Sequence, residues 1–226
     1  MGAPDATNTW YPTVDGNDTA NAWTPTDAGD DAIAVASCRS SSGTADTTAV
    51  EINGWTTNAD NYIKVWTDPS LGNRHDGRAL DSGGNYTGYS MKVTEHWVTM
   101  IENTENYTHI EGVIIDGDNY AFSGISASGD TAGIVTYVDS CIAFNSSHSN
   151  AVGFMSSGNT ILKISNSIAY NLGGYGFYQH SWQPQYYYNC LAVNCNTEGF
   201  HFGTAYGNAV VKIQLLMGIP LIFLAQ

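Results

Sequence analysis

The chain has 226 residues, with 7 Lys and Arg against 21 Asp and Glu and a formal charge of −14. So few cations exclude a basic nucleic-acid surface. An apolar content of 42% with 12% aromatics excludes a disordered chain, and the lack of long Ala/Leu/Glu/Lys stretches excludes a helical bundle. The remainder is rich in Gly, Asn, Ser and Thr, a composition that favours strands and turns.

In chain order, Met1 to Asp5 shows neither a basic nor an apolar leader segment, so no signal peptide is read there. Residues 1–50 lack any repeat and read as an N-terminal cap plus a first coil of the same domain. Within them, Ala28, Ala32, Ile33 and Ala36 fall on one face of a short amphipathic helix expected over Asp27 to Ala36. Asn61 to Thr67 and Tyr89 to Val93 read as strands of early, less regular coils, joined through a charged loop, Arg74-His75-Asp76-Gly77-Arg78. That loop holds a His and an Asp, but a lone loop cluster is weak ground for acid–base chemistry.

From Tyr107 to Lys212 the chain repeats itself. Ser140-Cys141-Ile142-Ala143-Phe144-Asn145 matches Asn166-Ser167-Ile168-Ala169-Tyr170-Asn171 and Asn189-Cys190-Leu191-Ala192-Val193-Asn194. A second series, Gly124-Ile125, Gly153-Phe154, Gly176-Phe177 and Gly199-Phe200, advances with it at intervals of 23 to 29 residues. A unit of about 23 residues with two or three short strands cannot bury its own apolar face but can do so stacked on copies of itself. Ile125, Phe154, Phe177 and Phe200 are expected to form one interior stack, and Ile142, Ile168 and Leu191 another. Asn145, Asn171 and Asn194 fall at turns, where Asn tolerates unusual backbone angles and stacked amides can bond between coils. Tyr187 is expected inward and Tyr186 outward.

With Tyr107-Thr108-His109-Ile110-Glu111-Gly112-Val113-Ile114-Ile115 as a strand–Gly–strand coil, these repeats resemble the right-handed parallel β-helix, or pectate-lyase-like, superfamily over roughly 107–212. The resemblance implies an all-β, right-handed parallel β-helix solenoid whose coils run over 51–212. It does not imply one activity, because the fold hosts many. Lyases of this fold combine acidic Ca²⁺ ligands with a Lys or Arg base, so a lyase here would take Ca²⁺. Lys163 is the one Lys or Arg between Lys92 and Lys212, however, and a strongly acidic surface repels polyuronate. The clustered Asp, His-Gly and Arg-x-Lys patterns of polygalacturonase-like hydrolases do not occur.

The candidate catalytic carboxylates are therefore Asp116 and Asp118, in Ile115-Asp116-Gly117-Asp118-Asn119, a sequence that reads equally as a turn. The candidate glycan-binding face is Tyr178, His180, Trp182 and His201. Alternation turns Tyr178, His180 and His201 outward as neighbours, with Trp182 in the adjoining loop. Aromatic rings beside hydrogen-bonding groups suit sugars, though ordinary face aromatics have the same look and no acid is placed beside the histidines. Four Cys (Cys38, Cys141, Cys190, Cys195) form no CxxC pair, and no metal site is read from them. The sequons at Asn17, Asn85, Asn106 and Asn145 carry little weight in so Asn-rich a chain.

After Lys212 the repeat requires another Asn-Ser-Ile-Ala-Tyr run, but the chain reads Ile213-Gln214-Leu215-Leu216-Met217-Gly218-Ile219-Pro220. The codons AAA AAT TCA ATT GCT TAT GGG AAT CC encode K-N-S-I-A-Y-G-N-P, and loss of one A turns them into the observed K-I-Q-L-L-M-G-I-P. Residues 213–226 are thus expected to be a frameshifted apolar tail, with a natural apolar cap as the alternative. Leu215, Leu216, Ile222 and Phe223 are expected to fold over the last coil or support self-association. No stretch is long enough to span a membrane. The expected function is an extracellular or virion-surface solenoid that contacts a polysaccharide or other glycan. The alternatives are a lyase or glycosidase of the same fold, or a structural spacer.

Overall fold

The computed structural model describes residues 33–40, 43–130, 133–203 and 208–212. The expected cap up to residue 32 and the tail from 213 onward, with the proposed self-association residues, lie outside them. The strands run, in chain order, β1 (Ala34–Cys38), β2 (Val50–Ile52), β3 (Ile63–Thr67), β4 (Ser90–Lys92), β5 (Val98–Asn103) and β6 (Thr108–Glu111). They continue as β7 (Ile114–Asp116), β8 (Phe122–Ala127), β9 (Ile134–Asp139), β10 (Ile142–Ser146), β11 (Val152–Gly158) and β12 (Thr160–Ser165). The last are β13 (Ile168–Leu172), β14 (Tyr175–Ser181), β15 (Gln185–Tyr188), β16 (Leu191–Cys195), β17 (Glu198–Phe202) and β18 (Ala209–Lys212).

β1 pairs in parallel with β3, and from β2 onward every third strand pairs in parallel, giving three sheets. The first is ordered β1-β3-β6-β9-β12-β15-β18, the second β16-β13-β10-β7-β4 and the third β17-β14-β11-β8-β5-β2. The chain visits them in rotation, so it is a parallel β-solenoid of about seven turns. Ala34 to Ala36 lies in β1, paired in parallel with β3, and not in the helix expected over Asp27 to Ala36. The backbone groups there complete the sheet edge, and a weak helical stripe of alanines does not compete with that ladder.

The third sheet carries the expected aromatic column. Phe154 pairs with Phe177 and Phe177 with Phe200, their rings stacked at centroid distances of 5.0 and 4.6 Å. Ile125 continues the column one coil earlier. Each buried Phe is worth roughly 1.5–3 kcal/mol of removed apolar surface. Tyr187 is buried against the edges of Phe177 and Phe200, while Tyr186 faces out beside Lys163, as alternation requires.

The second sheet corrects one expectation. Ile142, Ile168 and Leu191 do stack in register, but on the outer face. Ile142 is covered there by Ala79 in the loop between β3 and β4, in a cluster with Ile114 and Phe144. Ile168 is only partly covered, and Leu191 is 52% exposed. The inward positions belong to Ala143, Ala169 and Ala192. The cause is steric. A Cβ on Gly153 would lie 3.3 and 3.2 Å from the methyls of Ala143 and Ala169, so the second and third sheets meet too closely for larger side chains.

Turns between sheets use left-handed backbone. Asn145, Asn171 and Asn194 have φ of 68°, 53° and 51°, and Asn194 Nδ2 donates to Asn171 Oδ1 at 3.1 Å. A second ladder sits one turn earlier: Asn166 Nδ2 donates to Asp139 Oδ1 at 2.8 Å and Asn189 Nδ2 to Asn166 Oδ1 at 3.3 Å.

Candidate functional site

The expected outward face lies on the third sheet near its β17 edge. Met155, Tyr178 and His201 are partners in the ladder, and Ser157 partners His180. Tyr178 stacks on His201 at 4.9 Å and 20°, and on His180 at 5.9 Å and 20°. Tyr175, which the sequence reading omitted, closes the group at 4.7 Å from Tyr178 and 5.1 Å from His201. His201 Nδ1 lies 2.9 Å from Glu198 Oε2, so an acid does stand beside the imidazole.

Plain alternation would place Glu198 and His201 on opposite faces, three residues apart. They meet because Gly199 and Phe200 both turn inward: a Cβ on Gly199 would lie 2.9 Å from the Ala192 methyl, and Phe200 packs on the core. The same Gly–Phe break brings Tyr175 and Tyr178 together one coil earlier. The repeating Gly-Phe pair was the available signal for this bend. Gln179 points inward and Trp182 stands 60% exposed just beyond β14.

This arrangement offers phenol and imidazole edges at fixed spacing, with a carboxylate orienting one imidazole. The ring faces within the stack cover one another, so the group presents mainly ring edges with their hydroxyl and N–H groups.

Asp116 and Asp118 are placed differently. Asp116 is buried, and its carboxylate accepts from Tyr86 Oη at 2.5 Å, Asn145 Nδ2 at 2.7 Å and the Asp118 backbone N–H at 3.0 Å. Asp118, at φ 43°, pairs with Lys92 at 3.1 Å. These three donors occupy both carboxylate oxygens and tie β7, the loop before β4 and the end of β10 together. The geometry is that of a turn anchor. Burial, the hydrogen bond to Asp116 and the Asp116 charge push the Tyr86 phenol well above its ordinary range.

The Arg74–Arg78 loop is also committed to structure. His75 Nε2 lies 2.6 Å from the Ser140 carbonyl, and Nδ1 accepts the Gly77 N–H at 3.1 Å. This pattern fits a neutral imidazole whose proton is on Nε2, and burial holds its pKa below the ordinary value. Arg74 and Lys64 both pair with Glu111, at 3.3 and 3.1 Å. On the outer face of the first sheet, Lys163 lies over Tyr137 and Tyr186, and Tyr137 stacks on His109 at 4.5 Å.

Burial drives the Cys141 thiol up to about 12 and that of Cys190 to about 11, which makes them packing groups and not nucleophiles. Among the described residues, no three His, Cys, Asp or Glu side chains converge as metal ligands. The amides of Asn85 and Asn145 are bonded to Asp81 and Asp116. No helix among the described residues is long and apolar enough to cross a membrane. No family model matches the chain, and neither a curated protein nor a solved structure shows significant similarity to it.

Proposed function

We propose that this chain is a right-handed β-helix of the pectate-lyase-like superfamily, acting outside the cell or on a virion surface, that contacts a glycan through Tyr175, Tyr178, His180, Trp182 and His201. The observation that carries this reading is the ring cluster around Tyr178, with centroids at 4.7 and 4.9 Å from Tyr175 and His201. Its stacked rings pre-organise hydroxyl and imidazole groups one coil apart, so little side-chain freedom is lost on binding.

The test is a glycan array followed by calorimetry. The Tyr178→Ala/His201→Ala double variant is expected to lose at least about tenfold in affinity for at least one glycan that the array identifies. Unchanged affinity would remove the face from consideration.

A second reading, a carbohydrate-active enzyme, draws on the Glu198–His201 pair at 2.9 Å, a carboxylate-oriented imidazole of the kind used in proton transfer. Unsaturated-uronate product released from polyuronates, and lost in Glu198→Gln, would establish that reading instead. Neither binding nor turnover would leave a spacer solenoid.

A further inference from the structure

Trp97 is the most exposed large apolar side chain among the described residues, at 73%. It also sits in left-handed backbone, φ 68°. That conformation is costly for a bulky residue and is ordinarily repaid by packing. Tyr107, the other large aromatic with a left-handed φ, is at least half-buried; Trp97 is not. The turn is nonetheless held firmly from both sides. The Trp97 N–H donates to the Ala121 carbonyl at 2.7 Å, and His96 Nδ1 accepts the Ala121 N–H at 3.0 Å.

Two imidazoles and a phenol gather at this turn. His148 lies edge-on to Trp97 at 5.9 Å and 5.3 Å from His96, and His96 meets the edge of Tyr120 at 5.0 Å. His148 Nδ1 accepts the Asn150 N–H at 3.1 Å. With Nδ1 of both histidines used as acceptors, their neutral forms carry the proton on Nε2, so each keeps one N–H donor in the same turn region as the largely exposed indole. The same tautomers leave no lone pair outward for a metal, and among the described residues no metal-ligand group forms here.

We infer that Trp97, with His96 and His148, is a second glycan-binding platform that takes a neutral pyranose. Its C–H face lies on the indole and its hydroxyls accept from the imidazole N–H groups. Neutrality follows from the formal charge of −14 and the exposed Glu95 next to the turn, which repel acidic sugars. The platform lies at the start of β5, whereas Tyr178 lies on β14, three strands away in the same sheet. The inference therefore stands on its own residues and not on the Tyr178 cluster.

The test titrates cello-, manno-, laminari- and chitohexaose into the protein, with calorimetry and tryptophan fluorescence as readouts. At least one hexaose is expected to bind and shift the emission, with Trp97→Gly losing about tenfold or more in affinity. Trp97→Gly also relieves the backbone, so its thermal midpoint is expected to hold or rise. A loss of binding then cannot be ascribed to misfolding. The Tyr178→Ala/His201→Ala variant is expected to keep this binding, which separates the two sites. Failure of all four hexaoses to bind, or wild-type affinity in Trp97→Gly, would overturn the inference. So would a change of oligomeric state in Trp97→Gly with sugar affinity intact, which would assign the indole to a second copy of the chain.

Discussion

The Cβ of Ala169 lies 3.2 Å from the point where a Cβ on Gly176 would begin, and the Gly199 carbonyl oxygen lies 2.6 Å from that same point. The interior between the second and third sheets thus holds one layer of methyl groups. Gly176→Ala is expected to destabilise the solenoid by about 1–3 kcal/mol through overpacking. Adding Ala169→Gly should recover only part of the loss, because the carbonyl contact remains. Urea unfolding midpoints of the three variants check this, and full recovery would refute the carbonyl's role.

Phe177 is fully buried with a stacked ring on either side, whereas Phe200 is only partly covered. Phe177→Ala is expected to cost about 3–5 kcal/mol and Phe200→Ala clearly less, since a cavity at the end of a column can collapse or fill with solvent. Thermal midpoints give the ranking; equal losses would contradict the column's polarity.

Asp116 as a turn anchor leads to a separable pair of outcomes. Asp116→Ala strands Tyr86 Oη and Asn145 Nδ2 and is expected to lower stability by about 2–3 kcal/mol. Asp118→Asn keeps a side chain suited to the left-handed turn at φ 43°, removes only a partly exposed ion pair with Lys92 and should cost less than about 1 kcal/mol. Chemical denaturation of both decides the matter, and a stable Asp116→Ala would reopen a catalytic role.

Stability should fall on mild acidification. Burial, aided by the Arg74 charge, holds the folded His75 pKa below the ordinary 6.5, and burial does the same for His109. Below pH 6.5 the unfolded chain takes up protons that the folded chain still refuses, so the folded state loses ground until the folded pKa is passed. The carboxylate of Asp139 is different. Burial raises its pKa, but hydrogen bonds from Ser165, Ser140 and Asn166 outweigh that and lower it, so its contribution is lost only in stronger acid. Urea midpoints at about pH 7.5 and about pH 5.5 should show the drop, with a shallower one in His75→Gln.

The turn ladders separate backbone from amide. At Asn171, φ 53°, Asn171→Ala should cost about 1–2 kcal/mol in left-handed strain plus the bond from Asn194. Asn171→Gly should cost only the latter. Equal costs would mean the backbone conformation is not what selects Asn.

The repeat was legible because the Gly-Phe and Asn-x-Ile-Ala markers advance together, and the Phe154–Phe177–Phe200 column follows from them. The second marker misled on facing. Ile142 is larger than Ala143, and size favours the interior unless the opposite sheet is near. That nearness is set by Gly153 and Gly176, residues with no side chain to announce it. Ile142 also owes its burial to Ala79, some sixty residues upstream in a non-repeating loop. The Glu198–His201 pair was hidden because strict alternation fails at Gly199-Phe200, where two successive residues turn inward. Trp97 was hidden for another reason: exposure and backbone angle are properties of the folded turn, and a single Trp in sequence signals neither.

The loop between β3 and β4 does more than cover Ile142. Arg74 fastens it to Glu111 at the end of β6 and His75 to the Ser140 carbonyl just before β10. It therefore straps together turns that otherwise touch only their nearest neighbours. A tether pulled at Lys212 would peel the later turns one by one with small, even rips in the force trace. On reaching Ser140 the peeling front would meet the strap, and the next rupture would be taller and would release several turns at once.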